Sequence, residues 1–186
     1  DKTACADLGI RLMNTPNAFT LPVADSVMGY ILAFARQQVW MDKAVKNGIW
    51  KKIPGRSLSE CTLGVIGVGN VGKAVIRRAR GFGMTLLGND IQPIPRDFLL
   101  ENNVRSVSLH ELLASSDFVS VNCDLNPTSR HLINKETLSH MKKSGILINT
   151  ARGPIVDEKA LSDALMNQSI GGAALDVFEQ EPLPDE

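Results

Sequence analysis

From Cys61 to the end, the chain alternates short apolar runs with amphipathic runs. The apolar runs predict strands at 62–66, 84–88, 118–122, 146–149 and 172–175, with a weaker one at 104–107. Apolar positions at helical spacing predict helices at 71–81, 109–115, 135–141 and 157–167. Several strands are continuous apolar runs, as expected where helices cover both faces of a parallel sheet. Alternating strands and helices of this kind predict an α/β fold, a doubly wound parallel sheet with helices on both faces. Ahead of this region, "ADSVMGYILAFARQ" carries apolar residues at helical spacing, so a long helix is expected over 21–38, with Pro22 in its first turn. The stretch that follows reads as a helix tail and then a loop. Its Trp40 and Trp50 are large apolar groups in polar surroundings, a pattern of packing or of a partner surface.

Composition narrows the function classes. The 186 residues carry 20 basic and 20 acidic side chains and a net charge of zero. A basic footprint for nucleic acid is absent, as is a polybasic membrane patch. No apolar run approaches the roughly 20 residues that span a bilayer. Cys5, Cys61 and Cys123 are odd in number and far apart, without metal-site spacing. They read as buried thiols suited to a reducing cytosol, so a cytoplasmic protein is expected. The chain opens without Met and without a signal-peptide pattern, which suggests a fragment or a processed chain.

The stretch "LGVIGVGNVGKAVIRRA" places Gly67, Gly69 and Gly72 where a strand hands over to a helix. Gly67 suits a sharp turn, Gly69 lets a pyrophosphate approach the backbone, and Gly72 lets the helix pack on the strand. The helix N-terminus, at Asn70 and Val71, offers amide N–H groups and partial positive charge to that phosphate. Asp90 lies 18 residues beyond Gly72, at the end of the second predicted strand. Its carboxylate suits adenosine ribose hydroxyls and repels a 2′-phosphate, so NAD is expected rather than NADP. Two later segments point to chemistry. Thr150, Ala151, Arg152 and Gly153 follow a predicted strand at its carboxyl end, where open α/β sheets bind ligands. The Arg152 guanidinium is a planar fork for a substrate carboxylate or a developing oxyanion. Asp176 sits past the last strand, and Glu181 follows in a loop held by Pro182 and Pro184.

Together "GVIGVGNVGKAV", "SGILINTARGPIVDEKAL" and "GAALDVFEQEPLP" resemble the D-isomer-specific 2-hydroxyacid dehydrogenase family, over nearly the whole chain. The resemblance implies a Rossmann fold and hydride transfer between NAD(H) and a small D-2-hydroxy acid or 2-keto acid. 3-Phosphoglycerate is the first expected substrate, with glyoxylate or hydroxypyruvate second. It implies that Arg152 binds the substrate carboxylate and polarises the keto group, and that Glu181 pairs with a catalytic histidine. Asp176 is then near the nicotinamide carboxamide, Thr150 and Ala151 line the nicotinamide side, and Cys123 and Asp124 contact the adenosine part. Residues 1–20 resemble the end of the substrate domain and residues 21–186 the NAD-binding domain with its interdomain helix. A homodimer arm is expected in the region of Trp40 and Trp50.

The family's histidine lies shortly after the stretch matched by Glu181, and the chain stops at Glu186. His110, His131 and His140 lie far from that motif and are expected in surface or core roles. The chain is therefore expected to be the cofactor-binding part of a longer dehydrogenase, inactive alone. In "NCDLNPTSRHLIN" the residues around Asn122, Asp124 and Leu125 depart from many relatives, on the adenosine side. Two other classes share the fold. An NAD-responsive corepressor is not separated from the enzyme by fold alone. An NAD-dependent hydrolase of the adenosylhomocysteine type is disfavoured by the Arg152 and Glu181 segments.

Overall fold

The computed structural model describes residues 2–13, 15 and 17–183, so Pro184 and the last two residues of the expected NAD-binding domain lie outside the described residues. Six strands, β1 (Thr62–Ile66), β2 (Thr85–Asn89), β3 (Val104–Ser106), β4 (Phe118–Val121), β5 (Ile146–Asn149) and β6 (Gly172–Leu175), form one sheet of order β3-β2-β1-β4-β5-β6. Every pairing is parallel. The order reverses between β1 and β4, which opens a crevice beyond the carboxyl ends of those two strands. This is the doubly wound sheet that the alternating pattern predicts.

Eight helices surround it among the described residues: α1 (Lys2–Asp7), α2 (Thr20–Ala35), α3 (Gln38–Lys46), α4 (Asn70–Gly81), α5 (Arg96–Asn102), α6 (Leu109–Ser115), α7 (Lys135–Ser139) and α8 (Glu158–Met166). Strand residues alternate between two cores. Leu63, Val65, Ile146 and Ile148 face Val27 and Ile31 of α2 and Ile76 of α4. Ile66, Val119, Val121 and Leu147 face Leu112 and Leu113 of α6, Leu138 of α7 and Leu161 of α8. None of the described helices is long and apolar enough to cross a membrane.

Most boundaries match the predicted ones within a residue or two, and the differences have local causes. The long helix expected over 21–38 is two helices. It stops at Ala35, Gln37 takes a left-handed φ of 56°, and α3 begins at Gln38. The Gln37 side chain and its backbone N–H both donate to the Phe34 carbonyl, at 2.9 and 3.2 Å, which closes the end of α2. The second strand begins at Thr85 rather than 84, because Met84 N–H still closes α4 on the Ala79 carbonyl. The fourth helix expected over 157–167 is α8, with Asp157 as its N-cap accepting from Ala160 N–H at 2.9 Å. Helices α1 and α5 are additions to the predicted set, and α1 buries no residue.

The amino end of the sheet is pinned by Asp117, between α6 and β4. Its carboxylate accepts from Thr62 N–H at 2.8 Å, and Arg56 and Lys142 reach it at 3.3 and 3.2 Å. Burial opposes the charge, but these three partners outweigh it and hold the carboxyl below its usual range. A carboxyl depressed in the folded state stabilises the fold above the unfolded-state value and loses that contribution as pH falls towards the folded value. Thermal stability is therefore expected to fall as pH drops below about 5. Asp117→Asn should lose about 2 kcal/mol at neutral pH and show a flatter acid limb, read by calorimetry from pH 7 downward. An acid limb as steep as the wild type's would remove Asp117 from this role.

Candidate functional site

The site begins where β1 meets α4. Gly67 N–H donates to the Asn89 carbonyl at 2.8 Å, and Gly67 has a φ of +84° that side chains disfavour. A Cβ on Gly67 would stand 2.5 Å from the Cys123 nitrogen, so the turn lies directly on the chain leaving β4. Gly72, the third residue of α4, packs on the same turn, where a Cβ would stand 2.1 Å from the Gly67 oxygen. Gly69 differs, because a Cβ there meets nothing within 4 Å. It is the N-cap of α4 and makes no side-chain capping bond. The Asn70 and Val71 N–H groups therefore open toward free space at a helix N-terminus, the arrangement that holds an anion.

A cleft of about 520 Å³ lies over this turn, lined by Gly67, Gly69, Asn70, Val71, Asp90, Cys123 and Asp124, among others. Asp90 follows β2 as expected, but its carboxylate also has structural work. Oδ2 accepts from Val68 N–H at 2.7 Å and Oδ1 from Gln92 N–H at 2.9 Å. Each oxygen keeps a second lone pair for a ribose hydroxyl. Cys123 is half-buried, and burial pushes its thiol up.

A second cleft, of about 660 Å³, shares Val71, Cys123 and Asp124 with the first and continues to Thr150, Ala151 and Arg152. Asn149, the last residue of β5, shapes this end. Its side chain accepts from Ala151 N–H at 3.1 Å and donates to the Arg152 carbonyl at 3.0 Å. Arg152 is exposed, and its Nη1 donates to the Ala151 carbonyl at 2.6 Å. Thr150 is buried, and its Oγ1 has no hydrogen-bond partner among the described residues. A buried hydroxyl without a partner is costly, so a polar group is wanted beside it.

Asp176 and Glu181 lie outside the lining of both clefts among the described residues. Asp176 N–H donates to the Asn149 carbonyl at 3.0 Å, and its Oδ1 accepts from the Tyr30 hydroxyl at 3.3 Å. Burial and the Asp176 charge push that phenol up. Glu181 turns back on its own loop and accepts from Phe178 N–H at 2.8 Å. His110 and His140 meet edge to face at 4.2 Å, and His131 lies 2.8 Å from Glu179. The residues that pattern reading missed are Asn17, Phe19, Thr20 and Val23, at the entry to α2, which line the second cleft. Asn17 also accepts from the Asn70 side chain, tying this entry to the start of α4.

Two joined clefts, one over an uncapped helix N-terminus with a carboxylate beside it and one ending at an arginine, fit a dinucleotide and a small acid. Over residues 28–186 the chain matches the family described as D-isomer specific 2-hydroxyacid dehydrogenase, NAD binding domain. The chain belongs to that family. Among the relatives of this NAD-binding domain, a glyoxylate reductase of Korarchaeum cryptofilum (strain OPF8) is 45% identical over 183 residues, covering 95% of this chain and 54% of the relative. A D-3-phosphoglycerate dehydrogenase of Methanocaldococcus jannaschii is 41% identical over 188 residues, covering 100% of this chain and 36% of the relative. The D-lactate dehydrogenase of Aquifex aeolicus, solved with NAD and lactic acid, superposes with a TM-score of 0.89 at 35% identity, covering 97% of this chain and 55% of that one. The chain thus spans about half or less of the length of these relatives.

If the Asp90 carboxylate faces the adenosine ribose, it opposes a 2′-phosphate, and a cofactor preference follows. Titration calorimetry should show tighter binding of NADH than of NADPH. Asp90→Ala should narrow the preference and also weaken NADH, because Val68 N–H loses its acceptor. Equal or tighter NADPH binding by the wild type would contradict this role of Asp90.

Proposed function

We propose that the protein carrying this chain transfers a hydride between NAD(H) and a small D-2-hydroxy acid or its 2-keto acid. The observation that carries the proposal is the continuity of the two clefts from the glycine turn to Arg152. NAD supplies the hydride acceptor and donor. In this proposal Asn70 and Val71 hold the pyrophosphate with their N–H groups, and Asp90 holds the adenosine ribose. Cys123 and Asp124 border the adenosine part. Thr150 and Ala151 line the nicotinamide end, and Asp176 orients the carboxamide. Arg152 anchors the substrate carboxylate and stabilises charge at the keto oxygen. Glu181 favours the protonated form of an acid–base histidine that follows it in the longer protein. Residues 1–20 are assigned to the substrate domain, a division supported by α1, which buries no residue, and by the exposed Leu8, Ile10, Leu12 and Met13. Residues 21–186 are assigned to the NAD-binding domain.

3-Phosphoglycerate and glyoxylate or hydroxypyruvate are the candidate substrates, and relatives named for each kind support the pair. The setting is a reducing cytoplasm, a reading supported by three free cysteines. The protein forms a homodimer through 21–50. Trp50 is 93% exposed, and Val39, Val45 and Ile49 of the same region are exposed apolar groups that a second copy would cover.

Two experiments check this proposal. NADH oxidation should be followed with a panel of 2-keto acids, using the 186-residue chain and the full-length protein side by side. Turnover is expected from the full-length protein alone. Arg152→Ala should raise KM and lower kcat, with about a hundredfold loss in kcat/KM. Arg152→Lys should recover little, because a point charge does not reproduce the fork. Glu181→Gln should move the reductive pH profile to lower pH, since the histidine loses the carboxylate that favours its proton. Comparable turnover by the short chain would show the acid–base group to lie within it. Sedimentation of the full-length protein should give a dimer that Trp50→Ala weakens, and a wild-type monomer at high concentration would reject the arm.

A further inference from the structure

The loop after β6 carries Glu181 and is held through Glu179, on which two other segments converge. Glu179 Oε1 lies 2.8 Å from His131 Nε2 and accepts from Glu158 N–H, at the start of α8, at 3.4 Å. Glu179 N–H donates in return to Glu158 Oε1 at 2.5 Å. The preceding residue, Phe178, lies directly on Gly153, where a Cβ would stand 1.9 Å from the Phe178 carbonyl carbon. Phe178 N–H is the donor to Glu181 Oε1. A line of direct contacts thus runs from Gly153, next to Arg152, through Phe178 to Glu181, and Glu179 fastens it from the side.

His131 is itself fixed. Its N–H donates to the Pro154 carbonyl at 2.9 Å, and its carbonyl accepts from the Asn134 side chain at 3.0 Å. Its φ of 49° is left-handed, a conformation that a residue other than glycine keeps only where its surroundings impose it. The neighbouring Ile133 pairs with Val156 in an isolated parallel bridge. The imidazole is therefore presented to Glu179 from a frame built onto the segment that follows Arg152. His131 and Glu179 side chains are 40% and 33% exposed, so their hydrogen bond adds little to global stability. Its effect is local, on where the loop sits.

We propose that His131 is a positioning residue: through Glu179 it clamps the loop that carries Glu181 onto the turn that carries Arg152, so that both charged groups share one frame. The role rests on the function proposed above. Among the described residues the clamp lies outside the lining of both clefts, so it acts on the geometry of the reacting end and leaves cofactor binding alone.

The test uses the full-length protein with NADH and a panel of 2-keto acids. His131→Ala should lower kcat about ten- to a hundredfold, the cost of a small misplacement of reacting groups. KM for the keto acid, NADH affinity and Tm should change little. His131→Gln, which keeps a side-chain N–H donor for Glu179, should recover most of kcat. Glu179→Gln should weaken kcat as well, and combining it with His131→Ala should add little further loss. Hydrogen exchange at the Phe178 and Glu179 amides should speed up in His131→Ala. Wild-type kcat in His131→Ala, or an equal loss in His131→Ala and His131→Gln, would overturn the positioning role while leaving the proposed function standing. So would a lowered kcat with unchanged exchange at these two amides. A wild type without turnover on any keto acid would overturn the proposed function and this role with it.

Discussion

The close approach of α4 to the end of β1 organises the molecule. The backbone of Gly67 touches two elements at once, the first turn of α4 through Gly72 and the chain leaving β4 through Cys123. Neither contact leaves room for a Cβ. The strand order reverses at this point, so the turn sits at the mouth of the crevice between β1 and β4. Asp90 locks it from the β2 side by accepting from Val68 N–H. Three strands therefore converge on one peptide segment, and the N–H groups of α4 are aimed by that convergence without any capping side chain.

The second half of the sheet repeats the logic with different chemistry. Beyond β5 an asparagine side chain, rather than a glycine, sets the turn, with Asn149 bonded to both Ala151 and Arg152. Gly153 then admits the Phe178 peptide at a distance that no Cβ permits. One end of the joined clefts carries the backbone N–H groups that open α4, and the other carries Arg152, whose carbonyl accepts from the Asn149 side chain and whose guanidinium donates to the Ala151 carbonyl. The first end follows β1 and the second follows β5, and both strands pair with β4 in the same sheet.

Much of this was legible in the sequence, for identifiable reasons. Strands buried on both faces are continuous apolar runs, and two of them, Thr62–Ile66 and Ile146–Asn149, have the predicted bounds, as does the edge strand Gly172–Leu175. The glycine turn was legible because its spacing reflects steric necessity. The break at Gln37 was not, since a left-handed glutamine leaves no mark in the apolar pattern. Helix α5 is seven residues long and buries only Phe98 and Asn102, too little for a periodic signal. The part played by Asn17, Phe19, Thr20 and Val23 is tertiary, arising from the packing of α2 on α4, and local spacing carries no trace of it. Asp90 was legible as an acid at the end of β2. Its two backbone bonds became visible only with the turn in place.

The proposed function requires that the residues of this chain hold a dinucleotide along the clefts from the glycine turn to Arg152. The most direct measurement is a crystal structure of the 186-residue chain grown with NADH. The pyrophosphate is expected on the N–H groups at Asn70 and Val71, the adenosine ribose at Asp90 and the nicotinamide beside Thr150 and Ala151. A dinucleotide bound elsewhere, or one whose nicotinamide lies away from Arg152, would contradict it.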